Sequence, residues 1–274
     1  MRLLLPLIFL LCSTVIAEPV YRTIAKKSNY SGFDRYDFTI EGHKCYVIEP
    51  KKAADGKPWV WRARFDSKAF GNFDKAMLEE GYHVAKINVA GLFGNSKAMK
   101  NFDFFYKYCT EKVGLGKKPI LEGLSRGGLP IFNWSVNNLD KVSCVYADAA
   151  VCDFKSWPGG KMKGKGSAGN WKTCITQYGL SEEEAMKYDK NPVDTIHILG
   201  KAQIPVIFVV GDADKVVPHT ENALVMEKNY NAAIPEGGMK LKVISKAGIG
   251  HHPHGLKDPT PVVKFAKEAV AKMK

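Results

Sequence analysis

Ser125 is the residue whose surroundings in the sequence point most directly to chemistry. It lies in the segment G-L-S-R-G-G, residues 123–128, between an apolar run at 119–121 and an apolar segment at 129–136. This order predicts a strand, a sharp turn and a helix. Glycines suit the turn, because a side chain would clash where backbone segments approach closely. The turn exposes the serine hydroxyl to a base, and the first N–H groups of the helix suit a developing oxyanion. We therefore predict a nucleophile; the alternative is an ordinary glycine-rich turn.

An acid that could orient a catalytic histidine follows a second apolar run. Residues 204–210 are continuously apolar and rich in β-branched side chains, which predicts a strand buried on both faces. The run ends in G-D-A-D-K-V-V-P, residues 211–218, and an acid just beyond a strand can hold a histidine ring in one tautomer. Asp212 and Asp214 both qualify, and either could instead be a solvated turn residue.

Three of the seven histidines fall within four positions after a third predicted strand at 241–245. His251, His252 and His254 could bind a metal, since histidine is the commonest metal ligand. However, Pro253 would break any helix that aligned them, and no acidic or cysteine ligand lies nearby in sequence. We therefore predict no metal and assign the histidines to catalysis. The glycine-flanked His251 is the first candidate for the base, and His252 is the second. We expect His254 to bond the backbone or line the pocket.

The elements that must position these residues alternate along the chain. Strands are predicted at 58–65, 82–89 and 142–147, with one or two edge strands at 36–50, and helices at 73–80 and 97–113. Alternating strands and helices predict an α/β fold with a mostly parallel sheet covered by helices on both faces. In such sheets the active site forms beyond the carboxyl ends of the strands, where all three candidates lie.

Residues 152–200 interrupt this alternation, and we expect a small cap or lid there. The segment has a lysine–glycine tract, a helix capped by Ser181 and another helix after Pro192. Its lysines could attract an anionic substrate, or the tract could be a solvated loop. Trp157 and Trp171 could bind substrate by stacking on sugar rings, although a small lid also needs aromatic side chains to pack.

Both the amino terminus and the length indicate an exported, single-domain protein. Residues 1–17 have a positive charge, an apolar stretch and small residues up to Ala17, which predicts a signal peptide. The apolar stretch is too short for a stable membrane insertion, which needs about 20 residues. Residues 18–274 suit one domain.

Composition limits the partners and the cross-links. The net charge of +12 is spread along the chain without an arginine-rich helix or an aromatic–basic motif, so nucleic acid is not an expected partner. Export permits disulfides, and removal of Cys12 leaves five cysteines, so at least one stays unpaired. Cys152 and Cys174 bracket the irregular segment and are the expected pair.

The three candidates together resemble the α/β-hydrolases, in which serine, acid and histidine follow in this order. The loop that carries Asp214 is similar to their acid loop G-x-x-D-x-x-V-P, which favours Asp214 over Asp212, and their G-x-G-H loops favour His251. More narrowly, the chain resembles a group of secreted bacterial hydrolases, described as esterases or prolyl-oligopeptidase-like peptidases. The shared motifs are W-x-W-R-x-R-F, L-E-G-x-S-R-G-G, D-F-K-S-W-P-G-G, G-D-A-D-x-V-V-P and G-H-H-P-H.

This resemblance implies that Ser125, Asp214 and His251 form a catalytic triad without a cofactor. The backbone N–H groups of Arg126 and of Phe65, or a neighbour of Phe65, would stabilise the oxyanion, although the His-Gly pair usual near the second donor is absent. We expect a secreted or periplasmic serine hydrolase acting on small-molecule or carbohydrate esters. A serine peptidase and a non-catalytic binding protein remain alternatives, and the oligomeric state, acyl group and alcohol stay open.

Overall fold

The computed structural model describes residues 19–272, apart from the side chains of residues 69 and 70, and the predicted signal peptide lies outside this range. Within it, the strands are β1 Lys26–Tyr30, β2 Phe33–Ile40, β3 His43–Glu49, β4 Trp59–Arg62, β5 His83–Ile87, β6 Ile120–Leu124, β7 Cys144–Asp148, β8 Val206–Gly211 and β9 Lys242–Lys246. The helices are α1 Tyr21–Ile24, α2 Ser67–Phe70, α3 Asn72–Glu79, α4 Ser96–Lys107, α5 Gly128–Ser135, α6 Ala168–Tyr178, α7 Glu182–Lys187, α8 Pro192–Thr195, α9 His197–Lys201, α10 Ala223–Asn231 and α11 Thr260–Lys272.

All the strands of the described chain join one sheet in the order β1-β2-β3-β5-β4-β6-β7-β8-β9. The first three strands pair antiparallel with one another, and β3 pairs antiparallel with β5. Along the rest of the sheet, in the order β5-β4-β6-β7-β8-β9, each strand runs parallel to its neighbours. The parallel strands therefore place the residues that follow β4, β6, β7, β8 and β9 along one edge of the sheet.

Helices cover both faces of the sheet. Alternate residues of the central strands point to opposite faces, and the apolar side chains on each face are buried against helices. On one face, Val206, Phe208 and Val210 of β8 pack in a core that includes side chains of α4, α5 and α10. On the other face, Ile207 and Val209 pack in a core that includes side chains of α3 and α11. All residues of β6, β7 and β8 are buried, as expected for parallel strands between two helical layers.

The predicted strands and helices of the central region are confirmed, with shifts at their ends. The apolar segment at 129–136 forms α5, and the segment at 36–50 supplies β2 and β3. The helix predicted over 97–113 ends at Lys107 and continues as one π-helical turn, Tyr108–Lys112. The edges of the sheet are β1 and β9, whereas β2 and β3, which were expected at an edge, lie inside it. Strand β1 was not predicted, because its residues are mostly exposed and polar.

The segment at 152–200, expected as a cap or lid insertion, connects β7 to β8 and contains α6, α7, α8 and most of α9. It has its own apolar cluster, in which Phe154, Trp157 and Trp171 pack with Leu129 of α5. The helix predicted from Ser181 is confirmed, and its capping box pairs Ser181 with Glu184.

The predicted Cys152–Cys174 disulfide is wrong in this structure. The cysteines of the described chain, Cys45, Cys109, Cys144, Cys152 and Cys174, are all unpaired and buried. Cys152 packs in the core beneath the sheet, whereas Cys174 packs in the cluster of the insertion. The insertion is therefore ordered by apolar packing where a covalent staple was expected.

None of the helices in residues 19–272 combines the length and apolar character needed to cross a bilayer.

Candidate active site

The turn after β6 holds Ser125 in a conformation that ordinary residues rarely adopt. Its φ of +49° lies in the left-handed region, and the chain then forms one 3₁₀ turn before α5. Gly123 and Gly128 make this path possible. A Cβ on Gly123 would stand 2.6 Å from the Gly127 carbonyl oxygen, and one on Gly128 would stand 2.4 Å from the Val151 carbonyl oxygen. Close backbone approach therefore requires glycine at position 123, as predicted, and also at position 128. At Gly127, the other predicted position, an added Cβ would instead meet the side chain of Arg64.

The structure brings Ser125, His251 and Asp214 into one hydrogen-bonded chain. Ser125 Oγ lies 3.0 Å from His251 Nε2, and His251 Nδ1 lies 2.7 Å from Asp214 Oδ2. An ionised carboxylate only accepts hydrogen bonds, so Nδ1 carries the proton and Nε2 offers its lone pair to the serine hydroxyl. This is the geometry of a nucleophile, a base and an orienting acid.

Asp214 is held by more than the histidine. Its other oxygen, Oδ1, accepts hydrogen bonds from the backbone N–H groups of Val216 and Val217, at 2.8 and 2.9 Å. Burial alone would raise the pKa of Asp214, but the hydrogen bonds from His251 and from these backbone groups lower it below its ordinary value. The carboxylate is therefore ionised at neutral pH and suited to support a positive imidazolium.

The runner-up residues lie outside this chain of contacts. Asp212 is exposed, and its Oδ1 accepts a hydrogen bond from the backbone N–H of Gly248 at 2.7 Å. His252 is also exposed, and its ring centroid lies 5.0 Å from that of His251. Burial, followed by electrostatic interaction with His254 and His251, lowers the pKa of His252. Asp212 therefore contacts the histidine loop, and His252 lies beside the base.

A second acid–histidine pair, which the sequence analysis missed, lies next to the first. His254 Nδ1 lies 2.5 Å from Asp148 Oδ1, and the other oxygen of Asp148 accepts the N–H of Gly255 at 2.8 Å. Asp148 ends β7 and is completely buried. His254 was expected to bond the backbone or to line the pocket, and its Nδ1 contacts this carboxylate. The signal in the sequence was an acid directly after the predicted strand at 142–147.

The three histidines form the only cluster in the described chain with candidate metal-ligand atoms within 4.8 Å of one another. Two of them, His251 and His254, already bond carboxylates through Nδ1, and His251 Nε2 faces Ser125. A metal that took this nitrogen would withdraw the base from the serine. The arrangement therefore suits proton transfer better than metal binding.

The oxyanion donors predicted from sequence lie near the nucleophile turn. Arg126 directly follows Ser125 at the start of a helical segment, where backbone N–H groups have no partner within the helix. Phe65 lies in the loop after β4 with a φ of +62°, and its ring centroid is 6.5 Å from that of His254. Its neighbour Arg64 lies against the turn, because a Cβ placed on Gly127 would stand 2.9 Å from Arg64 Cβ and 3.6 Å from Arg64 N. Arg64 therefore joins Phe65 as a candidate second donor.

The expected role of Trp157 and Trp171 as stacking surfaces for sugar rings is not supported. They are only 6% and 7% exposed. The guanidinium of Arg126 lies 4.5 Å from the centroid of the Trp157 ring, and Trp171 donates a hydrogen bond to Glu182 at 2.6 Å. Both rings are occupied in packing the insertion, the alternative noted above.

Comparison with known proteins gives a likeness of structure without a likeness of sequence. No known protein-family profile and no curated protein sequence matches the chain. Est1E from Butyrivibrio proteoclasticus superposes with a TM-score of 0.60 at 15% identity, over 91% of this chain and 98% of that one. An S-formylglutathione hydrolase from Agrobacterium tumefaciens superposes with a TM-score of 0.58 at 14% identity, over 90% of this chain and 97% of that one.

A larger protein contains the same architecture. Porphyromonas gingivalis dipeptidyl peptidase 4 superposes with a TM-score of 0.60 at 13% identity, over 90% of this chain. The chain spans only 36% of the length of that peptidase. The sheet order and these superpositions define the class: the protein has the α/β-hydrolase fold. Similarity this remote identifies the fold and leaves the reaction to the site.

Proposed function

We propose that this protein is a serine hydrolase that cleaves carboxylic esters through an acyl-enzyme, and that it is secreted or periplasmic. The observation that carries the proposal is the continuous chain from Ser125 through His251 to Asp214, with distances of 3.0 and 2.7 Å. Ser125 and Asp214 are buried, at 8% and 6% exposure, which strengthens electrostatic interactions around them. A protein that only binds ligands has no need of this arrangement.

The geometry supports a two-stage reaction. As Ser125 Oγ attacks the ester carbonyl carbon, its proton passes to His251 Nε2, and Asp214 stabilises the imidazolium. The N–H of Arg126 and one from the loop after β4 stabilise the negative oxygen of the tetrahedral intermediate. The proton on His251 then passes to the departing alcohol, which leaves an ester on Ser125. Water, deprotonated by His251, attacks that ester. The proton on His251 then passes to Ser125 Oγ as its bond to the acyl carbon breaks, which releases the acid and restores the serine.

We propose esters as the substrates and keep peptides as the alternative. Carbohydrate-linked esters remain the first class to test, since export would give access to them. The burial of Trp157 and Trp171 removes one reason to expect carbohydrate-linked esters. That expectation now rests on the predicted signal peptide alone.

Labelling with a fluorophosphonate tests the nucleophile directly. We expect one label per chain, on Ser125, and none in Ser125→Ala. The same substitution should lower turnover of an activated ester by several orders of magnitude, because only oxyanion stabilisation and binding would remain. Its circular dichroism spectrum should match that of the wild type, and unchanged turnover would disprove the assignment.

A substrate panel then separates the alternatives. It includes acetylated and feruloylated sugars, simple 4-nitrophenyl esters and peptide 4-nitroanilides. Faster cleavage of the anilides than of the esters would replace the esterase with a peptidase. Absence of both labelling and turnover would favour a non-catalytic binding protein.

A further inference from the structure

Two arginines beside Ser125 differ from every other arginine of the described chain. Residues 19–272 contain five arginines. Arg22, Arg35 and Arg62 each form a salt bridge with a carboxylate. Arg64 and Arg126 form none with any described residue, and both are half-buried. Buried or partly buried guanidinium groups normally have an anionic partner, so this pair requires an explanation.

Both side chains lie against the nucleophile turn. Arg126 follows Ser125, and its Nη1 donates a hydrogen bond to the side-chain oxygen of Asn170 at 3.2 Å. Arg64 stands across Gly127, with its Cβ 2.9 Å from the position that a Cβ on that glycine would take. The Nε atoms of Arg64 and Arg126 are buried without a hydrogen-bond acceptor among the described residues. The guanidinium groups of Arg64 and Arg126 also lie over the rings of Phe65 and Trp157, which accept no hydrogen bond from these Nε donors.

A narrow cleft separates the two arginines from the loop that follows β5. Its volume is about 10 Å³, and besides Arg64 and Arg126 it is lined by Val89, Gly91, Phe93, Gly94 and Pro130. None of these other residues has an ionisable side chain. This volume holds about one oxygen atom, the size of a water molecule. The cleft therefore presents two cationic groups and a small volume to whatever occupies it.

The two guanidinium groups also repel each other. Burial lowers the pKa of Arg64, and burial followed by the charge of Arg64 lowers the pKa of Arg126. An anion between them would relieve this repulsion and accept hydrogen bonds from both side chains. A carboxylate matches the planar fork of arginine donors and is small enough for one oxygen to enter the cleft.

We propose that Arg64 and Arg126 bind a free carboxylate on the ester substrate, so that the preferred substrates are esters that carry a second, acidic group. This rests on the proposed function, because Ser125 must cleave the ester. Of the lysines that could attract an anion, Lys161 forms a salt bridge with Glu182 at 2.6 Å, and the proposal does not use them.

Two pairs of matched esters test the proposal. On the acyl side, mono-4-nitrophenyl adipate is compared with 4-nitrophenyl hexanoate, which has a methyl group in place of the carboxylate. On the alcohol side, the acetyl ester of 4-hydroxybenzoate is compared with that of 4-hydroxybenzamide. We expect kcat/KM of the wild type to favour the carboxylate in at least one pair by about tenfold or more, the worth of one charged hydrogen bond. The pair that shows this preference identifies the side of the ester that faces the arginines.

Arg64→Gln and Arg126→Gln should each reduce that preference by about tenfold or more, whatever they do to the neutral ester. Lys97→Gln is the matched control, because Lys97 is exposed, lies close in sequence to Gly94 and does not line the cleft. It should leave the preference unchanged. Equal rates on both members of both pairs by the wild type, or a preference that survives both arginine substitutions, would overturn the proposal.

A binding measurement separates this proposal from the proposed function. Calorimetry with Ser125→Ala should show tighter binding of monomethyl adipate than of methyl hexanoate, and Arg64→Gln in the same background should abolish the difference. Selective binding without any ester turnover by the wild type would retain the carboxylate site and reject the esterase. Turnover of neutral esters without selective binding would retain the esterase and reject the carboxylate site.

Discussion

Asp214 and Asp212 are two positions apart, but their carboxylates have different contacts. Asp214 holds the ring of His251, whereas Asp212 holds the backbone of Gly248. We expect Asp214→Asn to lower kcat by about 10³- to 10⁴-fold, because an amide can stabilise the wrong tautomer of the histidine. Asp212→Asn should have little effect, since its amide oxygen can still accept the N–H of Gly248. Steady-state kinetics on one activated ester compares the two, and a larger loss in Asp212→Asn would reverse the assignment.

Chelation tests the other chemistry that the histidine cluster could perform. If His251 acts as a base for Ser125, dialysis against a chelator should leave ester hydrolysis unchanged, because serine attack requires only the triad and backbone N–H groups. A metal-activated water would instead require the ion, and activity would fall on chelation and return with zinc. Reversible loss, together with an active Ser125→Ala variant, would establish a metallohydrolase.

At the scale of elements, the pair formed by Asp148 and His254 joins the end of β7 to the loop that carries the base. Asp148→Asn weakens the anchor of His254 and Gly255, so we expect the loop to loosen and kcat to fall by up to about 10²-fold with little change in KM. His254→Ala should give a similar loss. The double variant should be no worse than either single variant, because both substitutions break the same contact, that between Asp148 and His254. Multiplicative losses would show that the two residues act independently.

The core beneath the nucleophile strand contains a buried ion network that depends on one arginine. Arg62 bonds Asp74 and Glu122, both at 2.9 Å, and all three side chains are almost completely buried. Burial raises the pKa of Glu122 well above its ordinary value despite the charge of Arg62. We expect Arg62→Met to lower the free energy of unfolding by about 3–5 kcal/mol, because it leaves buried carboxylates without their counter-charge.

Urea denaturation followed by tryptophan fluorescence measures this loss. Lys187→Met is the control, because Lys187 pairs with Glu183 at the surface, where the loss should be about 1 kcal/mol or less. Similar losses in the two variants would mean that burial does not determine the worth of these ion pairs.

At the scale of the whole molecule, no disulfide cross-links the described chain. Its five cysteines are buried and unpaired, and burial raises the pKa of Cys45, Cys144 and Cys174 to about 12. Native protein should therefore resist iodoacetamide, and all five thiols should react after unfolding without a reductant. Reaction of only three would reveal a disulfide. Mass spectrometry of the same exported sample would test the predicted cleavage near Ala17.

The sequence by itself determined the α/β fold and the positions that approach one another at its active edge. Apolar runs predicted the buried parallel strands, and the glycines around Ser125 indicated a turn that other residues cannot form. These signals are local, because strand burial and turn conformation depend on neighbouring residues. The choice of Asp214 over Asp212 also required the resemblance, since no local feature separated the two acids.

Only the tertiary structure decided which side chains touch across the chain. The contact between Asp148 and His254 joins residues 106 positions apart, and neither has a local pattern that names the other. The same holds for Cys152 and Cys174, whose placement in different apolar clusters excludes the expected bridge. Arg64 and Arg126 are ordinary cations in the sequence. The lack of a carboxylate beside either guanidinium group becomes apparent only when the loop after β4 folds against the nucleophile turn. The neighbours of a side chain are set by three-dimensional packing.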